Sequence, residues 1–172
     1  MISCGFSALL EKELLRFWKV AFQTIAAPVL NALMYQMVFS HVLSHHVKVY
    51  PGVSYTAFLI PGLMMMSMAQ NAFANGSSSL IQSKITGNII FLRLAPLTPF
   101  AFFSAYLVAA IVRGLLVGLG VLLVTVGFGL SFPAHLVWIG VFGLLGCGVL
   151  GAMGIIAGVW VEKFDGLAAF QN

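Results

Sequence analysis

Apolar residues come in four long stretches, Phe22 to Leu43, Tyr55 to Ala74, Phe100 to Leu130 and Leu136 to Val161, with polar residues gathered between them. About 20 apolar residues in helix cross a hydrocarbon core about 30 Å thick. The pattern therefore predicts an all-α membrane protein with four transmembrane helices. The third stretch exceeds a simple span: at 1.5 Å per residue it measures about 46 Å. Arg113 stands inside it, either near the cytoplasmic interface, at a helix-packing boundary, or facing a polar cavity.

Ahead of the first span, Phe6 to Lys19 reads as an amphipathic helix lying in the interface. Phe6, Leu9, Leu10, Leu14, Phe17 and Trp18 share a broad face, and Glu11, Lys12, Arg16 and Lys19 fall largely on the other. The alternative is that this segment is the polar start of the first span. Pro28 falls in the first turns of that span, where a missing N–H costs least. Ser44 to Ser54 is a short polar loop. Pro61 and Gly62 should kink the second span or end a short leading helix, as a gating hinge or a packing kink. Gly114 with Gly118, and Gly154 with Gly158, form G-x-x-x-G faces that allow close helix packing.

The polar segment Asn75 to Pro99 is unlike its surroundings. Ser77, Ser78, Ser79, Lys84, Thr86, Asn88 and Arg93 would find no partners in lipid, so the segment is expected outside it. Ser78 to Gln82 could begin a short helix with a serine N-cap. Ile81 and Ile85, one turn apart, would then offer an apolar patch rimmed by Lys84 and Arg93. Such a patch is either a docking element or an interfacial hairpin resting on lipid.

Composition sharpens this reading. Of 172 residues, 61% are hydrophobic and 7% charged, against about 25% charged in a soluble domain. One membrane domain occupies residues 1–172, with no room for a soluble catalytic domain. The net charge of +4 is a topology signal and not a nucleic-acid footprint, because no basic patch is interleaved with aromatics. Lys12, Arg16, Lys19, Lys84, Arg93 and Lys163 fall on one face of a four-span arrangement, and Lys48 on the other. The first face should be cytoplasmic, with both termini there. Cys4 sits near the N-terminus and Cys147 inside an expected span, so no disulfide framework is implied. The segment lacks the basic start of a signal peptide. No phosphate-binding G-x-x-x-x-G-K-[ST] loop is present, so the chain is not itself expected to be an enzyme. His41, His45 and His46 lack an acidic or thiolate companion, which leaves a weak metal signal; no cofactor is expected.

Phe58-Leu59-Ile60-Pro61-Gly62-Leu63-Met64, Ser78-Ser79-Leu80, Ala95-Pro96-Leu97-Thr98-Pro99 and Arg113-Gly114-Leu115-Leu116-Val117-Gly118 occur in an order that resembles the membrane subunit of type-2 ABC exporters. Glu13-Leu14-Leu15-Arg16-Phe17 is similar to that family's start, and Lys163-Phe164-Asp165 to its sequence after the fourth span. The likeness is to small bacterial permeases of unassigned substrate. It implies a leading amphipathic helix, six spans, pairing with a second permease copy, and a cytoplasmic coupling helix between the second and third spans. On that basis Ser78, Ser79, Ile81, Lys84, Ile85 and Arg93 would meet a separate ATPase subunit, and Pro61, Gly62, Arg113, Gly114 and Gly118 would serve as hinge or packing positions. The chain ends at Asn172, where the family would enter its fifth span. The resemblance implies export across a bacterial inner membrane. The other readings are a membrane scaffold or accessory subunit without a transport path and, third, a secondary transporter, which the absence of carboxylates in the spans disfavours. Few ionisable groups in the spans fit lipid-linked or amphipathic cargo better than small ions.

Overall fold

A computed structural model describes residues 2–43, 48–50, 53–95, 97–127, 136–162 and 166. Among these residues five helices follow one another: α1 (Ile2–Leu43), α2 (Tyr55–Ile85), α3 (Ile89–Leu94), α4 (Pro99–Gly127) and α5 (Leu136–Trp160). Strands β1 (Lys48–Tyr50) and β2 (Val53–Ser54) form a small antiparallel hairpin between α1 and α2, where a polar loop was expected. Helix α2 sits at the centre, packed against α5, α4 and α1, while α1 lies mainly on α4. Both α4 and α5 are long and apolar enough to span a bilayer. The other two expected spans fall in α1 and α2, which are less apolar because Gln23, Thr24, Asn31, Ser67, Gln70 and Asn71 interrupt them, exposed or half-buried.

The outer surface is apolar, as lipid contact requires. Phe22, Phe100, Val137 and Trp160 are all more than three-quarters exposed. Trp138 and Trp160, both exposed, lie near opposite ends of α5 and 22 residues apart. That separation is about 33 Å along a helix, close to the distance between the two aromatic belts of a membrane. These indoles give the bundle a depth scale.

Two sequence expectations change here. The amphipathic segment is not a separate interfacial helix: α1 runs unbroken from Ile2 to Leu43 and carries it as its first part. The reason is that its polar side chains find partners inside the protein. Glu13 is fully buried, between the buried Leu9 and Phe17, so the inward face is not the purely apolar one expected. Trp18, assigned to that face, points outward and is exposed. With α1 starting at Ile2, Pro28 lies deep within the helix instead of in its first turns. It has no N–H to give the Thr24 carbonyl one turn back.

Likewise α2 does not end near Ala74. It continues to Ile85, and Pro61 falls inside it without ending it. Gly62 is exposed, and no other described residue of this chain lies near the position of a side chain there. The G-x-x-x-G faces do pack. A Cβ on Gly118 would lie 2.5 Å from the Met68 sulfur, and one on Gly114 would lie 2.5 Å from the Cys147 sulfur. Gly154 rests on the Phe73 backbone and Gly158 on Ser77, where a Cβ would come within 2.9 Å of the Ser77 Cα. Glycine is needed at Gly154 because any side chain would enter the carbonyl of Phe73.

Candidate functional site

The polar segment divides into a buried part and an exposed part. Residues Asn75 to Ser83 belong to the C-terminal part of α2, and all but the half-buried Ser78 and the exposed Gln82 are buried. Ser77 donates to the Phe73 carbonyl at 2.9 Å and Ser83 to the Ser79 carbonyl at 2.9 Å. This back-bonding satisfies hydroxyls within the helix. Ser79 donates instead to the Glu13 carboxylate at 2.8 Å. The segment therefore needs neither solvent nor a separate N-cap. Lone serines read as unsatisfied in the sequence because their partners are their own helix and a carboxylate 66 residues away.

Around Glu13 a polar network joins α1, α2 and α4. Arg16 lies 3.3 Å from one Glu13 oxygen and Lys12 lies 3.4 Å from the other. Arg16 also donates to the Asn75 carbonyl at 3.2 Å and to its side-chain oxygen at 3.3 Å. Arg113, from α4, donates to that same side-chain oxygen at 3.3 Å and to the Asn71 side chain at 3.4 Å. Its guanidinium stands 5.8 Å from the centre of the Phe17 ring, a cation–π distance. Asn75 thus holds two guanidiniums with one oxygen. Arg113 is at once a packing-boundary residue and the edge of a polar cleft of about 290 Å³, which is lined also by Gln23, Thr24, Asn31, Ser67, Gln70 and Asn71. Sequence reasoning missed Glu13, Asn71 and Asn75. A signal existed: Leu9, Glu13 and Phe17 are spaced i, i+4, i+8 and share one helical face.

Past Ile85 the chain becomes exposed. Gly87 adopts φ 75°, a left-handed conformation that favours glycine and turns the chain after α2. Helix α3 follows, with Ile90, Phe91 and Leu94 at 59%, 73% and 77% exposure, beside Ile85 at 59%. Below them lies a pocket of about 850 Å³ between α2, α3, α4 and α5, walled by Leu80, Ile89, Leu92, Leu97 and Phe102.

The expected contact residues separate accordingly. Ile85 is on the exposed tip. Ile81 is fully buried with Phe73 and Ala157, so it cannot share an exposed patch with Ile85. Ser79 is buried on Glu13, and Ser78 is half-buried within α2. Lys84 donates to the Val159 and Val161 carbonyls at 2.6 and 2.9 Å. It closes the C-terminus of α5, where a cation also meets the negative end of the helix dipole. Arg93 is in α3, and its side chain lies outside the described residues, as do His45, His46, His135 and Lys163. Cys147 is buried and unpaired. Among the described residues no group of His, Cys, Asp or Glu could hold a metal ion.

An α-helical membrane bundle with an exposed apolar tip on one end and a charged network in its interior defines the class. The chain belongs to the ABC-2 type transporter family, whose model matches residues 5–172. It is 31% identical over 165 residues to the inner membrane transport permease YadH of Escherichia coli K12. The same identity holds for the permeases of that name in Escherichia coli O157:H7 and Shigella flexneri. The match covers 95% of this chain and 64% of each relative, so the chain spans about two-thirds of the length of these permeases or slightly less. No solved structure matches.

Proposed function

We propose that the chain supplies the membrane-spanning part of an ATP-driven exporter, with two permease copies paired and two ATPase subunits bound beneath them. ATP hydrolysis belongs to the partner, and this chain carries the transport path. The family match over nearly the whole chain carries the reading. The exposed tip supports it: Ile85, Ile90, Phe91 and Leu94 form an apolar surface at a helix junction, as a docking site requires. Coupling is assigned to this tip and not to Ile81 or Ser79, which belong to the core.

The proposed location is a bacterial inner membrane with both termini cytoplasmic. The start of α1, the end of α2, α3, the start of α4 and the end of α5 share one end of the bundle, tied by Glu13 to Ser79 and by Lys84 to α5. Lys12, Arg16 and Lys84 are there, and Lys48 is on the distal hairpin. Cysteines placed at Ser44 and at the exposed Gln82 test this. An impermeant reagent added outside should label only the first.

The coupling test uses full-length permease and its ATPase subunit. The double substitution Ile85→Asp and Phe91→Asp should leave membrane insertion intact and weaken ATPase recovery by about 1–3 kcal/mol. Normal recovery of the ATPase, with lowered membrane stability, would instead mark the tip as a lipid-resting hairpin. A full-length wild-type permease that neither binds nor stimulates an ATPase would favour the scaffold reading.

A further inference from the structure

The internal network does not balance its charge. Glu13 supplies one negative charge and already meets Arg16 and Lys12. Arg113 meets two neutral carboxamides and the Phe17 ring, and among the described residues no carboxylate pairs with it. Its Nε is buried without a hydrogen-bond partner. A guanidinium in that state needs a counter-charge, and its depth makes the need acute. Arg113 is fourteen residues from either end of α4. The adjacent Gly114 packs on Cys147, which lies nine and thirteen residues from Trp138 and Trp160 on α5. Those intervals are about 14 and 20 Å, which puts the Arg113 backbone near the middle of the bundle; its guanidinium reaches to Asn75, still between the levels of the two indoles, where an unpaired charge is costly.

The cleft beside Arg113 is built for an anion. Its side chains add amide and hydroxyl donors, and Arg113 is the charged residue lining it. Its volume of about 290 Å³ is at the small end of ligand pockets, about 300–1,000 Å³, and suits a headgroup better than a whole lipid. It opens sideways: Gln23, Asn31 and Gln70 are exposed, next to the exposed Phe22, Leu30 and Met66. A charged head can enter while an alkyl chain follows that apolar surface.

We propose that the cleft between α1, α2 and α4 binds the phosphate or carboxylate head of an amphipathic molecule, with Arg113 as its counter-charge. The source is either a resident anionic phospholipid or an amphipathic cargo. Anion binding is independent of coupling to an ATPase, so failure of either reading leaves the other standing.

The test uses full-length permease in nanodiscs of phosphatidylglycerol and phosphatidylcholine mixed equally, with retained lipid counted by native mass spectrometry. Wild type should retain phosphatidylglycerol over phosphatidylcholine by roughly tenfold, the order expected of one charge-assisted contact. Arg113→Lys should keep most of that preference and Arg113→Gln should abolish it. Because Arg113→Gln also disturbs Asn71 and Asn75, Gln70→Glu is the second variant. It sets a carboxylate in the cleft from an exposed position and should also remove the preference. Displacement of the retained lipid by dodecyl phosphate, an amphipathic anion, supports the site and assigns it to cargo as well as lipid. Resistance to dodecyl phosphate with the preference intact supports a resident phospholipid. Equal retention of both lipids by wild type, or a preference unchanged in both Arg113→Gln and Gln70→Glu, overturns the proposal.

Discussion

Helix α2 is held on two sides by opposite means. Toward α5 the contact is made of absent side chains: Gly154 and Gly158 bring the backbone of α5 onto Phe73 and Ser77, and Ile81 and Ala157 seal the edges. Toward α1 and α4 the contact is made of charges and amides: Glu13, Arg16, Asn71, Asn75, Ser79 and Arg113. In lipid neither side draws on the hydrophobic effect between helices, because the tails are as apolar as leucine. The glycine side gains dispersion contact and tolerates no added volume. The polar side gains directionality and tolerates no loss of a partner. One seam is sensitive to what is added and the other to what is removed.

The largest expected effect is on the polar side. Glu13→Leu leaves the half-buried Arg16 without its ion partner and Ser79 without its acceptor. Removing one member of a buried ion pair costs about 3–5 kcal/mol, so thermal unfolding in detergent should show a marked loss, and Glu13→Asp should restore part of it. On the glycine side, Gly154→Ala forces a methyl into the Phe73 carbonyl. The cost should be about 2 kcal/mol. Combining Gly154→Ala with Glu13→Leu measures the independence of the seams. Distant sites add to within about 0.5 kcal/mol, and a larger coupling would mean that α2 transmits strain from one face to the other. Lys84→Met removes the lysine that closes α5 and should cost about 1 kcal/mol, read as faster hydrogen exchange of the last turn of α5. Smallest is Ser83→Ala. Its hydroxyl bonds its own helix, and the loss should be about 0.6 kcal/mol or less in the same unfolding assay.

The glycine seam was legible because its signal is local. Gly154 and Gly158 are four apart, and spacing alone places them on one face. The spans of α4 and α5 were legible for the same reason, as uninterrupted apolar runs. The polar seam was only partly legible. Arg113 stood out as a charge inside an apolar run, but its partners Asn71 and Asn75 come from another helix. The end of α2 was misplaced because Asn75, Ser77, Ser79 and Ser83 look solvent-bound until Glu13 and Arg16 are brought to them. Ile81 was assigned to an exposed patch on the premise of a short helix there. Once α2 runs on to Ile85, Ile81 faces α5, and the exposed apolar side chains are those of the tip.

The unbroken length of α1 has a mechanical consequence. Forty-two residues in a single helix make a beam of about 63 Å, roughly twice the thickness of the hydrocarbon it enters. Arg16 pins this beam at Asn75, and Leu43 stands 27 residues beyond that pin, a lever arm of about 40 Å. A tilt of about 5° about the pin would carry that end through roughly 3.5 Å, more than a hydrogen bond is long. Pro28, where the helix is one backbone bond short, lies along that arm and on the wall of the cleft that Arg113 lines.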